Sequence, residues 1–189
     1  MMDRSALLGI TTGGAVMFAF GVLWLLLGLF RGRPSPRWLR VSLLLVGIAL
    51  GSLIATLAVR ASSISRNATP LTAQQVATNQ EINQHFYLIF GAELAAIFLA
   101  TIALNVIHYP GYILSGIALI VGVHFVPLAA LFRTPVFYGT GFLGCAIGLA
   151  GFVVVDERLR QQIVGLSFGL LLWATASRLA WIGLSALPS

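Results

Sequence analysis

Twenty-six residues from Ser5 to Phe30, SALLGITTGGAVMFAFGVLWLLLGLF, pass without a charged side chain. An α-helix rises 1.5 Å per residue, so such a run is long enough to cross the roughly 30 Å hydrocarbon core of a bilayer. Five more apolar runs follow, at about Val41–Val59, Asn83–Ile107, Gly111–Phe132, Val136–Val155 and Gln161–Leu184. No strand alternation competes with them. Only 8% of the 189 residues are charged and 59% are hydrophobic, which leaves too little polar surface for a soluble domain of this size. The reading is an all-α integral membrane protein, a single domain of six transmembrane helices in a bundle. Residues 60–82 are expected to be its one long polar loop.

The net charge of +6 comes from eleven arginines and no lysine. In a multi-spanning chain such charge reports topology, and nothing here suggests nucleic-acid binding. Arg31, Arg33, Arg37, Arg40, Arg158 and Arg160 fall on one side, and Arg4, Arg60, Arg66 and Arg133 on the other, with Arg178 inside helix six. The excess favours termini outside and the RGRPSPR turn in the cytoplasm. The start imitates a signal peptide, but its apolar run lacks a small-residue cleavage site and reads as a retained first helix. Cys145 stands alone in an apolar segment, so neither a disulfide framework nor a zinc pattern is present.

The segment Leu119–Pro135, LIVGVHFVPLAALFRTP, carries features that a plain membrane helix does not need. Pro127 removes a backbone donor and crowds the carbonyl of Val123, a kink site whose freed oxygen should face protein or water rather than lipid. His124 lies roughly 14 Å from the helix end at Arg133, Glu93 roughly 13 Å from the same membrane face, and Arg178 roughly 8–12 Å from it. Ionisable groups within a membrane are costly and point to function by default. Thr11, Thr12, Ser52, Thr56, His85, Tyr138 and Thr140 share that half, while the other half is nearly all apolar. Glu93, His124 and Arg178 are therefore expected to form a polar pocket under the 60–82 segment, with His85 at its mouth and Tyr138 and Arg133 as further candidates for binding ligand or proton. Structural alternatives stay open: a Glu93–Arg178 pair between helices, a snorkelling Arg178, a histidine satisfied by a neighbouring helix.

Gly9/Gly13, Gly47/Gly51, Gly144/Gly148 and Gly165/Gly169 each make a GxxxG, a pattern that permits close helix approach within the chain or between copies in a homo-oligomer. A faint internal repeat relates Leu29-Phe30-Arg31 to Leu131-Phe132-Arg133, GIALG to GCAIG, and Phe90-Gly91 to Phe168-Gly169. It would make the fold two inverted three-helix halves, as in many transporters.

His85–Gly144, above all GVHFVPLAALFRTPVFYGTG with His124, Phe125, Pro127 and Arg133, resembles an uncharacterised family of small bacterial multi-spanning membrane proteins. FGAELAAIFLA, with Glu93, looks like that family's preceding helix. The resemblance covers about a third of the chain. It implies a membrane fold and a partnership of Glu93 with His124, and brings no activity, substrate or cofactor; the expected location is the bacterial cytoplasmic membrane. Helices one, two and six lie outside it.

Transport or binding of a small solute or ion, proton-linked through the Glu93 and His124 residue types, leads among the functions. A structural or assembly subunit is the alternative. An intramembrane enzyme lacks HExxH and an acid-rich metal cluster, so no catalytic or metal-binding residue is assigned. A haem held by His85 and His124 is the weakest reading, and no cofactor is expected.

Overall fold

The computed structural model describes residues 4–32, 34, 36–66 and 73–185. Arg33, Asp3 and the 67–72 segment lie outside the described residues, as do the side chains of Arg4, Thr11, Thr12, Arg60 and Arg66. The described chain is helical throughout, with α1 at Arg4–Arg31, α2 at Arg37–Arg66 and α3 at Ala73–Val106. A 3-10 turn at Pro110–Tyr112 leads into α4 at Ile113–Leu131, followed by α5 at Val136–Val153 and α6 at Glu157–Ser185. All six α-helices are long and apolar enough to span a membrane.

The 60–82 loop is the main correction. Residues 60–66 continue α2 and residues 73–82 open α3, leaving 67–72 as the connection. Polarity marks where a segment leaves hydrocarbon, not where a helix must stop. AQQVATNQEINQ is free of Gly and Pro, and its four Gln, two Ala and one Glu suit an exposed helix. At 34 residues α3 is about 50 Å long, well over a bilayer core.

The ends of α3 and α4 share one device. His108 and Arg133 both take positive φ, at 62° and 49°. After α3, Tyr109 N–H donates to Leu104 O at 2.8 Å and His108 N–H to Asn105 O at 3.1 Å. After α4, Thr134 N–H donates to Ala129 O at 3.1 Å and Arg133 N–H to Ala130 O at 3.3 Å. These are Schellman closures, each followed by a proline, Pro110 or Pro135, that cannot continue the helix. At the start of α6 Asp156 Oδ1 accepts from Leu159 N–H at 2.6 Å and caps the helix.

Packing runs in the spatial order α2, α1, α6, α5, α4, α3, with α6 at the centre. Val164, Phe168, Leu172 and Leu179 of α6 are fully buried. Two seams bring backbones together. A Cβ added to Gly165 would fall 2.6 Å from Gly28 Cα on α1, and one on Gly148 would fall 2.7 Å from Leu119 N on α4. Gly144/Gly148 and Gly165/Gly169 therefore seat the chain's own helices, leaving those faces no room for a second copy. Gly47 and Gly51 instead make space for the rings of Trp173 and Phe18, which stack 5.9 Å apart. Gly9 lies where no packing is described.

The first helix of each half packs along the third helix of the other, α1 on α6 and α4 on α3. Among the described residues the seam between α5 and α6 has no comparable counterpart between α2 and α3. At the face where α6 begins, Arg160 is 4% exposed, although its position in the turn reads as an ordinary topology charge. Its Nε donates to Gly111 O at 3.1 Å and its Nη1 to Val154 O at 2.9 Å. The guanidinium lies 3.6 Å over the Tyr112 ring, which stacks on Phe152. One cation thus ties the turn before α4 to the turn before α6 by a geometry lysine does not offer.

Candidate functional site

Along α3, residues 82, 86, 89, 90, 93, 96, 97, 100, 101 and 104 are half-buried and their neighbours exposed. That is the three-and-four spacing of one helix face, and it is the face laid on α4. Glu93 is its one charged member. On α4 the matching ionisable residue is His124, seven positions before the end at Leu131. Nδ1 of His124 lies 2.6 Å from Oε2 of Glu93, with the side chains 10% and 9% exposed. Apart from this carboxylate, Nδ1 has no hydrogen-bond partner among the described residues.

Two ionisable groups in so dry a seam are tolerable because together they can be neutral. Carboxylate beside imidazolium and carboxylic acid beside imidazole have the same net charge and differ only in which group holds the proton. Each partner offers the other what hydrocarbon cannot. Removing either leaves a buried group without compensation.

Aromatic rings lie along the seam on the side towards the α4 end. Phe86 stacks with Phe90 at 6.0 Å and meets Phe132 at 6.1 Å. Phe132 meets Phe137 at 6.4 Å, Phe137 meets Phe125 at 5.7 Å, and Phe125 lies edge-on to His124 at 5.7 Å. Phe86 and Phe90 precede Glu93 by seven and three residues on the same face of α3. The pair thus sits beyond a phenylalanine cluster that excludes water from one side.

The remaining predicted residues are elsewhere. Arg178 is exposed on α6, in a shallow open depression with Trp181, Ile182 and Ser185, and makes no ion pair with Glu93. The buried face of α6 near it is Leu172, Ala176, Leu179 and Ala180, and position 178 falls off that stripe. Neither the three-residue pocket nor the Glu93–Arg178 pair forms. His85 is exposed, its Nδ1 2.9 Å from Glu81 O one turn earlier. Tyr138 and Arg133 are exposed as well. Pro127 and Val123 lie on the exposed face of α4, so the freed carbonyl does not turn to a neighbouring helix. The buried face there is taken by Gly122, Phe125, Leu128 and Ala129.

The polar bias of this half also resolves into separate parts. Ser52 and Thr56 are exposed and donate to their own helix, to Ile48 O and Ser52 O, both at 2.8 Å. Thr140 is buried and shares a 2.8 Å hydrogen bond with Thr175, bridging α5 and α6. Thr175, like Arg160, is an interior polar residue that the sequence did not single out, because a hydroxyl in an apolar helix usually bonds its own backbone. Among the described residues no group of three or more His, Cys, Asp or Glu side chains is placed to hold a metal ion. Compared with family models, curated proteins and solved structures, the chain finds no match.

Proposed function

We propose that this chain is a multi-pass protein of the bacterial cytoplasmic membrane, with its termini outside, that binds or moves a small solute or ion in linkage with a proton at Glu93 and His124. The supporting observation is the 2.6 Å contact of carboxylate and imidazole in a seam between two membrane-spanning helices. The pair joins a thinly packed helix: among the described residues α3 has none fully buried, and it makes its seams with α4 and the 3-10 turn. A proton arriving or leaving changes the charge of the very contact that holds α3, so protonation and helix position are linked.

Infrared difference spectra of the purified chain between two pH values test this. A carboxyl signal should appear, vanish in Glu93→Gln and shift in His124→Ala, while both variants remain monodisperse and helical. A wild-type spectrum without a Glu93 signal sinks the reading. So does loss of fold in both variants, since the pair would then be a structural strut.

One observation favours a second reading, an assembly subunit. Gly91 and Ala95, one turn apart on α3, are exposed, and nothing lies within 4 Å of where a Gly91 Cβ would be. Small residues on an open membrane helix suit close approach by another helix. Mass measurement of the detergent-solubilised chain, with Gly91→Leu beside it, separates the two readings.

A further inference from the structure

We infer that the solute recognised at Glu93 is a lipophilic organic monocation, which takes the place of the positive charge on His124. This rests on the proton-linked reading above and names its substrate class.

Three observations carry it. First, Glu93 is the one fixed acidic charge in the α3–α4 seam; Glu81 lies in the polar first part of α3, and Asp156 and Glu157 at the turn into α6. Second, the arginines that would suit an anion, Arg133 and Arg178, are exposed and apart from it. Third, Phe86 and Phe90 lie on the same face of α3 as Glu93, seven and three residues before it, and cluster with Phe132, with centroids 6.0 and 6.1 Å apart. A desolvated carboxylate with aromatic faces attracts cations, and apolar walls favour those that shed water easily. A small hydrated metal ion would find one carboxylate and no further oxygen ligand among the side chains named here.

The exchange balances in charge. A carboxyl–imidazole pair that shares one ionisable proton is neutral. A cation pairing with the Glu93 carboxylate leaves His124 as neutral imidazole, and the proton departs to water. Ligand and proton then compete for one carboxylate, which is how a single site couples their movements. The titratable groups on the helices around this region are Glu93 and His85 of α3, His124 and Arg133 of α4, and Tyr138 and Cys145 of α5; His85, Arg133 and Tyr138 are exposed and outside the seam. Of these, Glu93 and His124 are at contact distance.

The test is equilibrium binding of tetraphenylphosphonium to the full chain in detergent, with proton release followed by a dye in weak buffer. Tetraphenylborate, of the same shape and opposite charge, is the control. The expected result is saturable cation binding with proton release, reduced at least about tenfold in Glu93→Gln. Phe86→Leu and Phe132→Leu should each weaken it by about two- to fivefold while the fold is kept. These two variants carry the test should Glu93→Gln not fold. Cation uptake that matches tetraphenylborate, or that is unchanged in all three variants, is partition into detergent and overturns the inference. Absence of saturable binding beside an intact Glu93 infrared signal overturns the cation while leaving the proton site standing. Absence of both removes the site itself.

Discussion

A charged or polar residue inside a membrane helix means different things according to where its atoms end. Glu93 and His124 end on each other. Arg160 ends on two carbonyls and a ring, Thr140 on Thr175, and Arg178 on open surface. Arg133 is a further case, since its exposed side chain matters less than its backbone. At φ 49° it occupies the left-handed region, where a Cβ is crowded by the following carbonyl. Glycine there relieves about 1–2 kcal/mol of crowding and gives back about 0.5–1 kcal/mol through unfolded-chain entropy. Arg133→Gly should therefore raise stability by up to about 1 kcal/mol, read as a higher midpoint in denaturant. An unchanged or lowered midpoint would show that the side chain makes a compensating contact.

At the scale of elements, glycine decides which helices touch. Gly165 and Gly139 look alike in sequence, each a glycine in an apolar helix. A Cβ on Gly165 would meet Gly28 Cα and N, both at 2.6 Å, whereas one on Gly139 meets nothing within 4 Å. Gly165→Ala must push α1 and α6 apart and should destabilise the chain by about 1–3 kcal/mol. Gly139→Ala should be neutral, or stabilising by up to about 1 kcal/mol through helix propensity. Thermal unfolding of the two variants in the same detergent makes the comparison. Equal effects would mean that the α1–α6 crossing is not held by backbone proximity. The repeat of small residues at four-residue spacing was legible in the chain; which of them meet backbone, which meet rings and which meet nothing was not.

For the whole molecule, helix length and helix attachment do not track one another. α3 is the longest helix, at 34 residues, and the least enclosed, while α6 is packed by α1, α2, α4 and α5. An element held by one main seam is the one to move when that seam changes. Spin labels at Leu99 on α3 and Leu170 on α6, both exposed, should report a broad or pH-dependent distance. Labels at Leu23 on α1 and Leu170 on α6 should report one narrow, unchanging distance. Equal widths at every pH would make α3 as fixed as the core and remove the link between protonation and movement.

The spans, their number and the all-helical class follow from hydropathy alone, because a chain crossing hydrocarbon must satisfy its backbone within each segment. The depth matching that put Glu93 and His124 at one level is likewise a matter of counting along helices of known rise. Depth is one coordinate, and the other two are the rotation of each helix and the identity of its neighbours. Those are set by packing, which turned residue 93 towards α4, left residue 178 facing outward and buried Arg160 between two turns. The polar stretch before Glu93 is helix rather than loop for a related reason: hydropathy locates the membrane boundary, while helix propensity and tertiary support decide where a helix ends. Counting residues finds the level of a site, and only packing decides which side chains meet there.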